Sequence, residues 1–285
     1  MTENRTGIEL CSIVNVQSGN CTEDCAFCSQ SSHHESHIPV YDFLSKEKIT
    51  GQARILEEKG LSCFSLVASG RGPSGKLLSH VLDTVSEIRS VTSLKICASL
   101  GLLTSGEARD LASAGVDRYH HNLETARSFF PSICGTHSFD ERIETIHRAR
   151  TAGMEICCGG IIGMGETPEQ RQEFFRHLAD LEADSIPLNV LNPLKGTRLE
   201  GNRVLSESEV LQAIDMARGL CRKPRIRLCG GRNLYRHEFL ADCIRAGLDA
   251  VMTGNYLTTS GYGIDHDLEF LESRGYFITG KFPRP

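Results

Sequence analysis

The chain has no tryptophan and few aromatic residues, a scarcity that decides nothing by itself. Other absences exclude more. No apolar run approaches the roughly 18 residues of a membrane span, so no membrane segment is expected. Lys and Arg number 31 against 36 Asp and Glu, a net charge of −5, which leaves no basic footprint for nucleic acid. The opening residues, Met1-Thr2-Glu3-Asn4-Arg5, are polar and lack the apolar core of a secretory signal. A cytoplasmic protein is therefore expected. In that setting the twelve cysteines read as reduced thiols serving metal, not as a disulfide framework. No low-complexity stretch, charge block or linker interrupts the 285 residues, which predicts a single domain, 1–285, with a tail from about 273 loosely attached.

What is present is a regular alternation. Strands are expected at 8–16, 63–68, 94–99, 116–121, 154–158, 185–191, 225–229 and 250–253. Helices are expected at 45–59, 75–91, 105–114, 140–152, 168–181, 206–220 and 235–246. Several helices stop at glycine, as at Gly60, Gly115, Gly153 and Gly247, where a left-handed C-terminal cap is tolerated. Strand–helix alternation with short connections argues for parallel β/α units. About eight of them predict an α/β fold, a single-domain (β/α)8 TIM-type barrel. An open doubly wound sheet is the alternative.

Cys21-Thr22-Glu23-Asp24-Cys25-Ala26-Phe27-Cys28 follows the first strand. Its C-x3-C-x2-C spacing lets a short loop wrap three thiolates round one inorganic centre, the soft ligands that iron–sulfur clusters require. Three ligands would leave one iron of a four-iron cubane open. Zinc is the other reading. It usually takes four ligands, and with no second C-x2-C pair present, His33 or His34 would have to complete the set.

Barrels of this type place chemistry at the C-terminal ends of their strands. Cys97, His120, Asn122, Cys157, Cys158, Asn189 and Cys229 all fall at or just beyond such ends. Because strand side chains alternate, only one of Cys157 and Cys158 can face the lumen, whereas Arg227 and Cys229 share a face, as do Cys63 and Ser65. Cys11, Cys134, Cys221 and Cys243 read as core or surface thiols. His33, His34 and His37 read as solvated. Asp140 and Glu141 suit the first turn of a helix.

The cysteine loop, with Phe27 before its last thiol, resembles that of the radical S-adenosylmethionine superfamily. The resemblance implies a 4Fe-4S cluster on Cys21, Cys25 and Cys28, with S-adenosyl-L-methionine on the open iron and cleaved to a 5′-deoxyadenosyl radical. Further motifs are similar to the biotin synthase family: Tyr119-His120-His121-Asn122-Leu123-Glu124-Thr125, the run 156–167, Pro187-Leu188-Asn189, Lys195-Gly196-Thr197, Lys95-Ile96-Cys97 and Ile226-Arg227-Leu228. These cover most of the chain in order.

That resemblance implies sulfur insertion converting dethiobiotin to biotin, with an auxiliary iron–sulfur cluster as the sulfur donor and reduced flavodoxin or ferredoxin as electron donor. A homodimer is compatible with it. It carries Cys97 and Cys157 over as auxiliary ligands, Arg227 as an arginine ligand, and Asn122, Glu124, Arg142 and Asn189 as contacts to substrate or S-adenosylmethionine. Four positions depart from the family pattern. Ser65 stands where a cysteine is usual, Cys229 where none is, His120 where asparagine is usual, and Glu124 where aspartate is. The expectation is a rebuilt auxiliary centre on Cys97, Cys157 and Cys229. It could be a cubane carrying an extra sulfide, with Arg227 nearby as a charge partner. A two-iron cluster that uses Cys158 or Cys63 competes with it. A related radical enzyme acting on another small substrate, and a non-catalytic iron–sulfur carrier, are the functional alternatives.

Overall fold

A computed structural model describes residues 7–279. The polar opening residues 1–5 and the last residues 280–285 lie outside the described part. Eight parallel strands close into a barrel. They are β1 (Gly7–Gln17), β2 (Cys63–Ala68), β3 (Lys95–Ser99), β4 (Arg118–His120), β5 (Glu155–Cys157), β7 (Ser185–Val190), β8 (Arg225–Leu228) and β9 (Ala250–Met252), and β9 pairs back onto β1. Two short strands lie off this ring. β6 (Gly160–Ile162) continues β5 after a jog and pairs with β7. β10 (Phe277–Thr279) pairs in parallel with the start of β1.

The helices α1 (Lys46–Glu58), α2 (Gly75–Val91), α3 (Ser105–Ala114), α4 (Phe139–Thr151), α5 (Pro168–Asp180), α6 (Glu207–Leu220), α7 (Phe239–Arg245) and α8 (Ile264–Ser273) surround it. Four of them, α3 to α6, begin with a reciprocal capping box: Thr104 with Glu107, Ser138 with Glu141, Thr167 with Gln170, and Ser206 with Glu209. Each satisfies two otherwise orphaned backbone groups at a helix start, so each strand-to-helix loop at the barrel mouth ends at a defined point.

Alternation along the strands separates two layers. Phe64, Leu66, Ile96, Ile156, Ile186, Leu188, Ile226 and Val251 pack in the main apolar core. Their neighbours face the lumen. At the lower end of the lumen these are charged. Glu9 receives Arg227 Nη2 at 2.5 Å and Arg225 Nε at 3.4 Å, while Arg118 Nη2 lies 2.8 Å from Glu155, itself 2.6 Å from Lys95. Burial pushes the Glu9 carboxyl up, but Arg227, Arg118 and Arg225 outweigh it and hold it below the usual carboxylate range.

The ring of strands agrees with the sequence reading to within a residue or two. The helix expected over 235–246 is shorter, because Arg232–Leu234 forms a 3-10 turn and Tyr235 is extended, so α7 starts only at Phe239. Of the stretch expected to be loose, residues up to 279 reach β10 and its pairing with β1. β6 and α8 have no counterpart in the sequence reading.

Candidate active site

One cavity of about 400 Å³ opens inside the mouth, a size suited to a small organic ligand. Cys21, Cys25 and Cys28 line it from the loop after β1, Cys97 and Cys157 from the strands, and Cys229 from just beyond β8. Asn122, Glu124, Arg142 and Asn189 line it too. The residues singled out in the sequence are thus brought together in one space.

The cysteine loop leaves β1 through Gly19 (φ +80°) and Asn20 (φ +53°), a left-handed pair that glycine and asparagine accept most readily. It then closes on itself. Cys21 N–H donates to the Gln30 carbonyl at 3.0 Å, Ser32 N–H to the Cys21 carbonyl at 2.8 Å, and Cys28 N–H to the Cys25 carbonyl at 2.9 Å. His33 Nε2 and His34 Nδ1 bond to the carbonyls of Thr22 (3.0 Å) and Cys28 (2.8 Å). His33 is exposed, as expected, whereas His34 is half-buried, and both rings brace the loop backbone.

The segment Cys134-Gly135-Thr136-His137 clamps the same loop. Asp24 Oδ1 accepts from Gly135 N at 2.8 Å and Thr136 N at 3.1 Å, and Glu23 Oε2 accepts from Thr136 Oγ1 at 2.8 Å and also bonds His137 Nδ1. Cys134 Sγ lies 3.8 Å from Cys25 Sγ. The hydrogen bond from Cys25 holds the Cys134 thiol down at about 4. The same bond, with burial, raises Cys25. Burial also pushes Cys28 up to about 11. Cys134 carries no local sequence signal: its partner is 109 positions away.

Deeper in, the lumen holds more thiols than the sequence reading assigned to it. Cys11, Cys63, Cys97 and Cys229 pack together with Met252. Cys157 lines the same cavity. Cys63 Sγ and Cys97 Sγ are 3.3 Å apart. Hydrogen bonding from Cys97 lowers Cys63 against the opposing effect of burial, helped by the Arg227 and Arg118 guanidiniums. Burial raises Cys11 to about 12 and Cys229 well above its ordinary value. Cys11 had been read as a core or surface thiol. Its lumen position follows from register, since it sits opposite Cys63 on β2 and Met252 on β9, and register is invisible in a single strand. Cys158 faces the other way, fully buried in the main core.

Arg227 lines the cavity and is tethered from below through two guanidinium nitrogens. Its Nη2 bonds Glu9, and its Nε donates to Ser185 Oγ at 3.0 Å. His120, at the tip of β4, has Nδ1 3.4 Å from Cys157 Sγ, and burial lowers its pKa to about 4, so it is neutral.

Asn122 and Glu124 leave β4 through a strained turn. Glu124 has φ +69°. It is held there by its N–H donating to the Gly159 carbonyl at 3.2 Å and its carbonyl accepting from Ile161 N at 2.8 Å. Gly159 and Gly160 permit this approach: a Cβ on Gly160 would lie 2.3 Å from the Glu124 carbonyl oxygen, and one on Gly159 2.0 Å from that of Pro187. Burial raises the Glu124 carboxyl, partly offset by Arg142. Arg142 Nη1 donates to the Asn122 carbonyl at 2.8 Å, and Nε to His137 Nε2 at 2.9 Å. Asn189 spans β6 and the loop after β8: Nδ2 donates to the Gly160 carbonyl at 3.1 Å and Oδ1 accepts from Gly230 N at 2.8 Å. Each amide group keeps one more bonding position for a ligand.

The sequence matches the Radical SAM superfamily over residues 16–178 and the Biotin and Thiamin Synthesis associated domain over 187–277. It is 49% identical to a biotin synthase of Pelotomaculum thermopropionicum over 93% of this chain and 82% of that protein. A biotin synthase of Heliobacterium modesticaldum is 47% identical over 94% of this chain and 82% of its own length. The chain belongs to the biotin synthase family. The fold is also that of methylornithine synthase (TM-score 0.84, 21% identity, 96% of this chain and 84% of that one). The FeFe-hydrogenase maturase HydG from Carboxydothermus hydrogenoformans shares it too (TM-score 0.81, 16% identity, 95% and 67%).

Members of this family use a four-iron cluster, S-adenosylmethionine and an auxiliary iron–sulfur centre. The donors here fit such groups. One loop turns three thiols into the cavity, and the lumen below it offers several more, beside buried guanidiniums that favour an anionic centre. Among the described residues, no helix is long and apolar enough to cross a membrane.

Proposed function

We propose that this chain converts dethiobiotin to biotin by radical sulfur insertion, with Cys21, Cys25 and Cys28 holding the radical-generating cluster and Cys97, Cys157 and Cys229 the sulfur-donating one. The observation that carries this reading is that both thiol sets and the Asn122 and Asn189 amides line a single cavity. When bound, the cofactors supply the 5′-deoxyadenosyl radical and the sulfur; breaking an unactivated C–H bond is beyond any side chain.

The chain's own part is to bind, orient and exclude. Asn122 and Asn189 suit a cyclic urea, which presents both N–H and C=O. Both amides are already fixed by backbone bonds, so they meet the ring without reordering. Ile13, Val67, Leu102, Ile161 and Met252 make apolar wall and keep water from a reactive carbon. Arg142 holds the Asn122 turn from behind and lies 3.5 Å from Glu124.

The auxiliary centre is read as rebuilt. Ser65 replaces a thiol on β2, Cys229 adds one on the loop after β8, and Cys158, packed in the outer core, is a poor candidate for the lumen. Arg227, bonded to Glu9 and Ser185, acts as a charge partner. A small reduced flavodoxin or ferredoxin is the proposed electron donor, and the cytoplasm the proposed setting.

Anaerobic reconstitution with iron and sulfide, followed by assay with dethiobiotin, S-adenosylmethionine and a reductant, tests the proposal. Biotin and 5′-deoxyadenosine should both form. Deoxyadenosine without biotin would point to another substrate, and neither product would exclude the reaction.

A further inference from the structure

The cysteine loop and the turn that carries Asn122 and Glu124 both line the cavity, and one buried side chain ties them together. We infer that His137 is a positioning residue for hydrogen transfer: held in a single tautomer, it sets where the radical-generating site stands relative to the groups that meet the substrate. The inference rests on the reading that Cys21, Cys25 and Cys28 hold the radical-generating cluster and that Asn122 and Glu124 contact S-adenosylmethionine or dethiobiotin.

Arg142 Nε donates to His137 Nε2 at 2.9 Å. A guanidinium has N–H groups and no acceptor, so Nε2 offers its lone pair and the ring proton stands on Nδ1. There it meets Glu23 Oε2, within hydrogen-bond reach. Glu23 belongs to the loop itself, between Cys21 and Cys25. At the other end Arg142 Nη1 donates to the Asn122 carbonyl at 2.8 Å and lies 3.5 Å from Glu124. Among the described residues, His137 alone is bonded to both Glu23 and Arg142. Phe130 holds the pair from the side, edge-on to the His137 ring at 5.8 Å between centroids and under the Arg142 guanidinium at 5.5 Å.

The tautomer also decides what His137 does not do. Cys25, Cys134 and His137 stand close enough to share a metal ion, but a protonated Nδ1 has no lone pair to give one. The ring is a tie between two buried charged groups, and removing it leaves both short of a partner. Hydrogen abstraction is sensitive to such a change, because misplacing reacting atoms by about 1 Å can cost about a hundredfold in rate. A glutamine at this position can still offer a carbonyl to Arg142 and an amide N–H to Glu23. A leucine fills the space and makes neither bond.

The test compares full-length wild type with His137→Leu and His137→Gln, each reconstituted anaerobically and given dethiobiotin, S-adenosylmethionine and a reductant. In samples matched for iron and sulfide, the readout is 5′-deoxyadenosine formed per biotin, a ratio that poor folding alone does not move. His137→Leu should raise it about tenfold, the effect of one lost hydrogen bond to a charged group. His137→Gln should return it close to the wild-type ratio. Should His137→Leu fail to load iron, His137→Asn, polar but too short to reach both partners, takes its place with the same expectation. An unchanged ratio in the disruptive variant, or a ratio in His137→Gln equally high, would overturn the inference and leave the reaction standing. Wild-type protein that forms no biotin would overturn the reading beneath it.

Discussion

Arg227 meets Glu9 at 2.5 Å on the floor of the barrel, and neither is open to solvent enough for water to replace the other. Removing the carboxylate would strand a buried guanidinium. Glu9→Gln should cost about 3–5 kcal/mol of stability near neutral pH, measured by denaturant unfolding of the cluster-free protein. The sign with pH follows from the lowered pKa of Glu9. Its contribution is complete above the unfolded carboxylate value of about 4.3 and fades as pH falls through the lower folded value. The gap between wild type and variant should therefore narrow in acid and stay constant toward pH 7.

Asp24 carries several bonds that tie the cysteine loop to residues 134–136. Asp24→Asn keeps the shape but loses the charge. Charge-assisted hydrogen bonds are worth about 1.5–3 kcal/mol, so iron should leave the radical-generating site to a chelator about tenfold faster. The auxiliary iron should leave at its usual rate. Both are read from the loss of charge-transfer absorbance.

Asn189 has one bonding position left on each end of its amide. Asn189→Ala should raise the KM for dethiobiotin by about tenfold or more, the cost of an unmade bond to a polar ring. Reductive cleavage of S-adenosylmethionine in the absence of substrate should be unchanged, as followed by 5′-deoxyadenosine release.

Cys157 lines the cavity, and Cys158, one position on, packs in the apolar core. Cys158→Ala should keep the auxiliary iron and lose about 1 kcal/mol of stability through poorer packing. Cys157→Ala should lose that iron. Metal analysis and thermal unfolding of the two variants, side by side, check the assignment.

The barrel was legible because its determinants are local. Alternating apolar runs, capping residues such as Thr104 and Ser138, and terminal glycines each act within a few residues. The Cys21 to Cys28 loop was legible for the same reason. β6 was not, because Gly159 and Gly160 break the strand pattern to make room for Glu124. Cys11, Cys134 and His137 were missed as site residues because what brings them there is long-range. Cys11 gains its place from register with β2 and β9, and Cys134 from packing against a loop 109 positions away. The Glu9–Arg227 pair, 218 positions apart, is likewise set by barrel closure.

The most direct test follows the sulfur. The auxiliary centre is reconstituted with heavy-isotope sulfide, excess sulfide is removed, and a single turnover is run with dethiobiotin. Mass spectrometry should find the heavy atom in the biotin formed, and Cys229→Ala should abolish that incorporation. Biotin carrying only ordinary sulfur, or label that enters equally well without Cys229, would contradict the account.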